Sequence, residues 1–477
     1  MNYYQNFING KFVDGSGGRI NVTNPGNNKI VGEHAVADKQ DVNEAVQAAK
    51  NLHQEGTLYN LRPVERGRMV QSMGTYILKN KSELAELLTR EQGKPLWESH
   101  LEIEGAARYF EYYGNQAETL EGKTIPLGKD YLSLTVNEPY GVSAQIIPWN
   151  YPLEMSARSL SAALATGNAC VIKSPELTPI THYIFAKAAI DAGLPNGAVN
   201  IVCGFGKEAG ATLASHPEIN QIVFTGSVTT GRSIATAAAI NIVPSVLELG
   251  GKSAAIVFDD ADLDLFENDI RWGIFFNAGQ VCSAMSRVIV HEKRYDEVLE
   301  RAHKVASSLS VNEGIKLPSF GNNMGAMVSE KQRDRVENMV SKSIDEGAKI
   351  ICGGHKLNRE GAFFEPTVLT CSPDNSIAKE EVFGPVLSVM RFNNDEEAIS
   401  ISNSTDFGLV GGVFTKDLDR ATYAVGKIQA GQVFINEWYA GGVETPFGGY
   451  GKSGYGREKG REALWNYVQT KNITIRK

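Results

Sequence analysis

Short apolar runs alternate with longer segments of helical periodicity through the middle of the chain. Five of these runs predict strands at residues 142–147, 169–172, 199–202, 221–224 and 245–249. Strands that alternate with helices form βαβ units around a parallel sheet. A second alternation predicts further strands at residues 253–258, 287–290, 385–391 and 432–436. The pattern therefore predicts an α/β protein that is divided near residues 250–252.

The N-terminal region predicts a hairpin followed by helices. Asn9-Gly10 lies between apolar residues and supplies the two positive φ angles of a type I′ turn. Asp38 opens a segment whose apolar residues share one helical face. Two longer helical patterns follow at residues 63–91 and 98–115.

Two segments alternate between apolar and polar residues as exposed antiparallel strands do. They are residues 127–136 and residues 472–476 at the C-terminus. Long, bare strand edges invite pairing with another chain, so we predict an oligomer interface here. An ordinary edge ribbon is the alternative interpretation.

Composition and charge limit the classes of function. The 477-residue chain is 42% hydrophobic and 21% charged, which is typical of a globular protein with roughly two to three domains. The net charge is −8 and no basic stripe is present, which argues against a nucleic-acid partner. Because no apolar run reaches the ~18 residues of a membrane helix, and no basic leader precedes an apolar run, we expect neither a membrane span nor a signal peptide.

The five cysteines are odd in number and form no CxxC pair, so neither disulfides nor a metal site are expected. A reduced, cytoplasmic compartment fits this usage. Four of them are interpreted as small buried apolar residues: Cys170, Cys203, Cys352 and Cys371. Cys282 differs, because small neighbours on both sides leave its sulfur reachable as a nucleophile. At the start of a helix, the dipole would favour its thiolate.

Two polar residues near strand ends are candidates for chemistry. Glu248 has apolar neighbours and two following glycines, so its pKa is expected to be raised, as a base for water requires. The glycines allow another group to approach the backbone closely. Asn150 follows the first strand of the parallel series, where its amide could donate to an oxyanion. The alternatives are a solvated glutamate and an Asx turn before Pro152.

Three other segments suit a dinucleotide. Residues 224–231 follow a strand and open a helix, where free N–H groups bind phosphate. Residues 204–210 carry glycines at a spacing one residue longer than the Rossmann fingerprint, which is a weak signal. Lys173 and Glu176 follow another strand, and a carboxylate on ribose hydroxyls favours NAD over NADP. The alternative for each segment is a solvated loop.

Six motifs in this order resemble the aldehyde dehydrogenase superfamily over nearly the whole chain. They are Pro-Trp-Asn-Tyr-Pro, Lys-Ser-Pro-Glu, Phe-Thr-Gly-Ser, Leu-Glu-Leu-Gly-Gly-Lys, Gly-Gln-Val-Cys and Glu-Glu-Val-Phe-Gly-Pro. The resemblance implies a modified Rossmann-type cofactor domain, an α/β catalytic domain and a small β oligomerisation ribbon, in a homodimer or homotetramer. The cofactor domain is placed at 1–120 and 140–250, and the catalytic domain at 251–441. The ribbon is placed at 121–139 and 460–477, and residues 442–459 form a connecting segment near the active site.

The resemblance also implies roles for individual residues. Cys282 is the nucleophile, Glu248 the base for deacylation, Asn150 the oxyanion donor together with the Cys282 N–H, and Glu458 a proton relay. The presence of Glu248 favours water rather than coenzyme A as the acyl acceptor. The residues implied for NAD, with NADP less favoured, are Ile147, Pro148, Trp149, Lys173, Glu176, Gly206, Gly226, Ser227, Glu381 and Phe383.

The substrate positions depart in part from the family's patterns. Arg158 stands where members that act on apolar aldehydes often carry an aromatic residue, and it resembles the semialdehyde and lactaldehyde branches. A guanidinium suits a carboxylate, although Glu154 could neutralise it. The second arginine of succinic semialdehyde enzymes is replaced by Phe276. Ser159 stands where a lysine often occurs, which weakens the relay through Glu458.

The leading prediction is therefore NAD-dependent oxidation of a polar or carboxylated aldehyde. Tyr151, Met155 and Phe447 match positions that line the family's pocket, and they keep aromatic or bulky aldehydes as the alternative. A noncatalytic structural protein on the same fold is a third possibility. The joint presence of Cys282, Glu248 and Asn150 argues against it.

Overall fold

The computed structural model describes residues 2–477, which form two large sheets with helices around them. The first sheet has eight strands, in the spatial order Gly454–Tyr455, Ser245–Glu248, Gln221–Thr225, Val142–Ile146, Ala169–Ser174, Val199–Cys203, Asn6–Ile8 and Lys11–Val13. The five predicted central strands are confirmed and pair in parallel. Because they are parallel, their C-terminal ends all lie at one edge of the sheet.

The order of these strands creates a switch point. After strand Val142–Ile146 the chain builds outward on one side, through Ala169–Ser174 and Val199–Cys203. It then returns to the other side with Gln221–Thr225, which pairs directly with Val142–Ile146. The two connections leave in opposite directions, so a crevice opens between them at the C-terminal edge.

The helices of the first half pack against this sheet and against one another. Asp38 caps the first helix as predicted, and the predicted helix at 63–91 is divided at Asn80. The Asn80 side chain donates to the Tyr76 carbonyl at 2.8 Å, an acceptor that a continuous helix would use itself. The helices are Lys39–Glu55, Pro63–Lys79, Lys81–Gln92, Leu96–Gln116, Pro152–Thr166, Tyr183–Asp191, Ala211–Ala214 and Val228–Asn241.

The second sheet has seven strands, all parallel except for the first pair. Their order is Lys349–Cys352, Thr367–Thr370, Val386–Phe392, Arg287–His291, Ala254–Val257, Val410–Phe414 and Gln432–Ile435. Its helices are Leu263–Ile270, Tyr295–Ser308, Glu330–Asp345, Ser376–Lys379, Asp395–Ser402 and Leu418–Val425. The apolar core of the first sheet runs from Phe7 to Leu249 and also takes in Val443, Ala463, Leu464 and Tyr467, whereas the cores of the second sheet begin at Ala254. The domain boundary near 250–252 stays a prediction, which these separate cores support.

A smaller three-stranded sheet stands apart from both. Strand Tyr131–Pro139 pairs antiparallel with Thr124–Ile125 on one side and with Val468–Arg476 on the other. The predicted ribbon at 460–477 is shorter than expected. Residues Arg461–Tyr467 form a 3-10 helix, because Ala463, Leu464 and Tyr467 are apolar and pack into the first core.

The remaining strands have between two and six residues. The predicted hairpin is confirmed, with φ of 51° at Asn9 and 77° at Gly10. The other strands are Tyr3–Tyr4, Arg19–Thr23, Ile30–Ala35, Ser310–Val311, Asn323–Met324, Phe407–Gly408 and Tyr450–Gly451. None of the helices within residues 2–477 has both the length and the apolar character to cross a bilayer.

Candidate active site

Cys282 lies in a tight turn between the 3-10 helix Phe276–Gly279 and strand Arg287–His291. It does not begin a helix, so no helix dipole favours its thiolate. Burial instead raises the pKa of the Cys282 thiol to about 12, and the Arg158 charge partly opposes this rise. The backbone just before Cys282 passes close to Gly384: a Cβ at Gly279 would lie 2.1 Å from the Gly384 carbonyl oxygen, so this position requires glycine.

Two cavities meet at Cys282. The first, which we call the sheet-edge cavity, has a volume of about 400 Å³. The second, the aromatic cavity, has a volume of about 380 Å³. Cys282 and Met155 line both cavities. A group bound in either cavity can therefore reach the same sulfur.

The sheet-edge cavity lies at the switch point of the first sheet. It is lined by Pro148, Trp149, Asn150, Met155, Thr225, Gly226, Ser227, Thr229, Glu248, Leu249, Gly250, Cys282, Gln332, Arg335, Glu381 and Phe383. Most of these residues follow three neighbouring parallel strands. Open α/β sheets bind ligands in this crevice, where strand ends and helix N-termini face one another.

Ser227 caps helix Val228–Asn241 at this edge, with its hydroxyl accepting from the Thr230 N–H at 3.3 Å. The predicted strand–turn–helix is thus confirmed. Ser227 and Thr229 line the cavity, so the helix N-terminus supplies N–H groups and a positive dipole end suited to phosphate.

Four predicted cofactor residues do not line this cavity: Ile147, Lys173, Glu176 and Gly206. Lys173 is the penultimate residue of strand Ala169–Ser174. Its backbone carbonyl accepts from the Ile147 N–H at 3.2 Å, and its ammonium lies 2.9 Å from Glu176. Gly206 begins a π-helical turn, and a Cβ there would meet open space. These residues thus continue the sheet edge beyond the cavity.

Glu381 and Phe383 approach the cavity from the second sheet's side. Glu381 Oε1 accepts from the Gly251 N–H at 3.0 Å, and a Cβ at Gly250 would lie 2.2 Å from its carboxylate. Gly250 and Gly251 therefore allow the Glu381 carboxylate to approach the backbone closely, as the sequence predicts. Phe383 has a φ of 57° and meets Trp149 edge to face, with ring centroids 5.3 Å apart.

Sequence reasoning missed two residues that hold this segment. Arg335 donates to the carbonyls of Val382 at 2.7 Å and Glu381 at 2.9 Å. Gln332 donates to the Phe383 carbonyl at 3.0 Å. Both lie on helix Glu330–Asp345, outside the recognised motifs, and no sequence signal marks them.

Glu248 ends a strand of the first sheet and is buried. Among the described residues, neither carboxylate oxygen has a hydrogen-bond partner. Burial raises the pKa of Glu248 well above its usual value, while the Arg158 charge opposes this rise. A buried carboxylate with both oxygens unpaired can accept a proton from water, which fits a general base.

A buried network holds Asn150. Its side-chain amide donates to the Gln280 carbonyl at 3.0 Å, which leaves a second N–H on the same nitrogen. The backbone carbonyl of Asn150 accepts from the Lys94 ammonium at 2.9 Å and from the Asn277 side-chain amide at 3.0 Å. Lys94 also forms a buried ion pair with Glu102 at 2.5 Å. Sequence reasoning did not find this support.

The aromatic cavity draws on many separate segments. Its walls include Leu101, Tyr109, Tyr151, Glu154, Met155, Arg158, Trp272, Phe276, Val281, Cys282, Phe434, Trp438, Tyr439, Phe447 and Lys459. Tyr151, Met155, Arg158 and Phe447 were predicted to line a substrate pocket, and this cavity brings them together. The Tyr151 and Phe276 rings stack with centroids 6.2 Å apart.

Arg158 forms a buried ion pair with Glu458, and the two side chains are only 3% and 2% exposed. The pairing of Arg158 with Glu154 that was considered from the sequence is wrong, because the Glu154 carboxylate lies more than 4.0 Å from the guanidinium. Burial disfavours the Arg158 cation, but Glu458 and Glu248 outweigh this and raise its pKa. Ser159 donates to Gln145 at 3.2 Å and leaves Glu458 to Arg158.

A cysteine thiol that lies between a dinucleotide-type sheet edge and an apolar cavity is the arrangement expected of an oxidoreductase that works through a covalent thiol adduct. The family described as Aldehyde dehydrogenase family matches residues 12–473. Aldehyde dehydrogenase family 2 member B4, mitochondrial, of Arabidopsis thaliana is 41% identical over 99% of this chain and 88% of its own length. Retinal dehydrogenase 2 of Homo sapiens is 39% identical over 100% of this chain and 92% of its own.

A solved structure agrees with these relatives. The NAD+ complex of aldehyde dehydrogenase from Bacillus cereus has a TM-score of 0.97 and 39% identity, over 100% of this chain and 97% of that one. The chain therefore belongs to the aldehyde dehydrogenase family. The predicted family, fold class and enzyme class are confirmed.

Proposed function

We propose that this protein oxidises an aldehyde to the carboxylic acid, with NAD as hydride acceptor and Cys282 as nucleophile. The observation that carries the proposal is that Cys282 lines both cavities. An aldehyde in one cavity and a dinucleotide in the other would then share this sulfur. The NAD+ complex of the Bacillus cereus relative supports the choice of cofactor.

The residues at the sheet edge fit a dinucleotide. The capped helix N-terminus at Ser227 suits the pyrophosphate, and Glu176 suits the adenosine ribose hydroxyls. Glu381, whose carbonyl accepts from Arg335, and Phe383, whose carbonyl accepts from Gln332, suit the nicotinamide ribose. When bound, NAD supplies the acceptor for a hydride. Because Glu176 would face a 2′-phosphate with like charge, we propose NAD rather than NADP.

In the first half-reaction, the Cys282 sulfur forms a bond to the aldehyde carbon. The thiol proton passes to solvent water, so this step does not require Glu248. The oxyanion is stabilised by the second N–H of Asn150 and by the Cys282 backbone N–H. Loss of hydride from this carbon gives a thioester on Cys282.

In the second half-reaction, Glu248 accepts a proton from water. The resulting hydroxide attacks the thioester carbonyl, the carbon–sulfur bond breaks, and the acid leaves. The unpaired carboxylate of Glu248 has no competing hydrogen bond to lose in this step. A relay through Glu458 would have to use an ion pair with Arg158, since Ser159 replaces the relay lysine.

The cavity walls favour the alternative substrate class over the leading one. A polar or carboxylated aldehyde was expected because of Arg158, yet Glu458 neutralises this guanidinium. Aromatic rings make up much of the remaining wall. We therefore propose an aldehyde with an aromatic or bulky apolar body. The human relative named Retinal dehydrogenase 2 supports such a substrate in the family.

We also propose a homodimer or homotetramer in a cytoplasmic compartment. Strand Val468–Arg476 is exposed along most of its length. At the end of helix Val228–Asn241, Ile240 and Ile242 are 76% and 90% exposed, and such apolar surface favours association. All five cysteines are free thiols, as a reducing compartment maintains.

A direct assay tests the activity. Purified protein is mixed with NAD and a panel of aromatic and aliphatic aldehydes, while NADH is followed by absorbance and the acid by chromatography. We expect one NADH per acid, with a loss of roughly 10⁴-fold or more in Cys282→Ala. Comparable activity in Cys282→Ala, or an alcohol product, would contradict the proposal.

A further inference from the structure

Two cations line the aromatic cavity, and only one of them is paired. Arg158 is committed to Glu458. Lys459 follows Glu458 in sequence and lines the same cavity as Cys282. Within residues 2–477, no carboxylate oxygen lies within 4.0 Å of the Lys459 ammonium. Lys459 is thus the cation of this cavity that can accept a new anionic partner.

The backbone explains why adjacent residues have such different roles. Glu458 and Phe447 exchange two backbone hydrogen bonds, at 2.6 and 2.7 Å, which fix this part of the chain. Glu458 is buried against Arg158, whereas Lys459 is only partly buried. Lys459 has a φ of 62°, which an L-residue adopts at a cost. Strained backbone of this kind is often retained at binding sites.

The charges around Lys459 leave its ammonium available. Glu154 lines the same cavity, and its charge favours the ammonium without forming an ion pair within 4.0 Å. Glu444, the other carboxylate whose charge favours it, is paired with Arg108 at 2.6 Å. Burial lowers the pKa of Lys459, and these carboxylates oppose the change. The Phe447 ring centroid lies 5.8 Å from the Lys459 nitrogen and 5.7 Å from the Arg158 guanidinium.

We propose that Lys459, not Arg158, binds an anionic group, a carboxylate, carried on the aromatic or bulky body of the aldehyde. The inference rests on the proposed aldehyde oxidation and narrows its substrate class. The aromatic walls would hold the apolar body, and the ammonium would donate to the distal carboxylate. Glu154 then acts against the same substrate by like charge, so the two residues set selectivity in opposite directions.

A matched pair of substrates tests this role. The reagents are 4-carboxybenzaldehyde and its neutral methyl ester, methyl 4-formylbenzoate, each with NAD. The measured quantity is the ratio of their kcat/KM values. Lys459→Met is expected to lower this ratio about 10- to 100-fold, through the KM of the acid, as loss of a charge-assisted hydrogen bond would. Lys459→Arg keeps the charge and is expected to retain most of the ratio.

Two further variants keep the test sharp if Lys459→Met folds poorly. Glu154→Gln removes the opposing charge and is expected to raise the ratio a few-fold. Lys349→Met makes the same change in net charge at an exposed lysine of the second sheet, and the ratio is expected to stay at the wild-type value.

The outcomes separate this inference from the proposed function. If the wild type oxidises neutral aldehydes but Lys459→Met leaves the ratio unchanged, Lys459 does not bind the carboxylate and only this inference is overturned. If Glu154→Gln lowers the ratio, Glu154 does not repel the substrate carboxylate, and this inference is overturned in the same way. If the wild type oxidises none of the aldehydes with NAD, the proposed function fails and this inference fails with it.

Discussion

The sheet-edge cavity and the aromatic cavity meet at one thiol, but the chain builds them in different ways. The sheet-edge cavity is made from consecutive residues that follow parallel strands, such as 148–150 and 225–227. The aromatic cavity draws its walls from many segments that lie far apart in sequence, from Leu101 to Lys459, and these include the short runs 281–283 and 438–441. Backbone topology therefore fixes the first cavity, and side-chain packing fixes the second.

This difference separates what is general in the reaction from what is particular. A cofactor shared across a family can be held by N–H groups and strand ends, which tolerate sequence change. A substrate is selected by individual side chains, so a change such as the pairing of Arg158 alters the expected class of aldehyde. Mutation can test this division between the two cavities, beginning with the contact that joins them.

The ion pair between Arg158 and Glu458 is expected to show the largest effect. Arg158 lines the aromatic cavity and donates to Thr225, which lines the sheet-edge cavity, at 3.4 Å. Arg158→Met leaves Glu458 buried without its cation, so the free energy of unfolding should fall by about 3–5 kcal/mol. Chemical denaturation measures this change.

The matched control replaces both partners. The double variant Arg158→Met with Glu458→Gln removes the uncompensated charge and should recover most of the lost stability. If Arg158→Met alone is as stable as the wild type, the pair does not tie the two cavities together.

The amide of Asn150 comes next. Asn150→Ala removes the donor aimed at the oxyanion, so kcat should fall ~100- to 1000-fold. Asn150→Asp keeps the size but replaces the N–H donors with acceptors, and its kcat should fall at least as far. Steady-state NADH formation measures both. A loss below about 10-fold would show that the Lys94 network holds Asn150 for a structural reason only.

The buried carboxylate of Glu248 is expected to lower the free energy of unfolding. Its folded-state pKa lies above its usual value of 4.5, so the unfolded chain ionises first and the folded state loses stability as pH rises. Glu248→Gln removes this loss, and should raise the free energy of unfolding by about 1–3 kcal/mol at pH 8.

The pH dependence provides the check. The stability advantage of Glu248→Gln should shrink as the pH is lowered toward 4.5. The wild-type carboxyl is then increasingly protonated in the unfolded state as well as in the folded state. Denaturation at pH 5 and pH 8 measures the difference. A variant less stable than the wild type at pH 8 would mean that the carboxylate has partners in solution.

The smallest effect concerns cofactor choice. Glu176→Gln removes the charge that would repel a 2′-phosphate, so the ratio of kcat/KM for NADP over NAD should rise about 10-fold. The exposed Glu300→Gln makes the same charge change elsewhere and serves as the control. Equal ratios in both variants would remove Glu176 from cofactor selection.

The sequence predicted the five central strands of the first sheet, the capped helix and the motif residues at the sheet edge, because periodicity and glycine spacing are local properties. It did not predict strands Lys349–Cys352, Thr367–Thr370 and Val410–Phe414 of the second sheet. It did not predict Gln332, Arg335 or Lys94, which act by donating to backbone carbonyls far away in sequence. Arg158 was recognised as important, but its partner was not. Only the fold brings residues 158 and 458 together, so no local pattern could supply that pairing.

The aromatic cavity shows the same limit. Phe447 and Tyr151 were predicted from family positions, whereas Trp272, Trp438 and Lys459 gave no signal that distinguishes a cavity wall from ordinary packing. Whether an apolar side chain faces a cavity or a core depends on which distant segment lies opposite. The substrate class was therefore the weakest prediction from the sequence.

The central claim is that a thioester forms on Cys282 and that Glu248 drives its hydrolysis. The most direct measurement is rapid quench of Glu248→Gln with NAD and benzaldehyde, followed by mass spectrometry of the peptide that contains Cys282. We predict a burst of about one NADH per active site and a benzoyl mass on Cys282, which decays slowly. An unmodified Cys282 after the burst, or wild-type turnover in Glu248→Gln, would contradict the account.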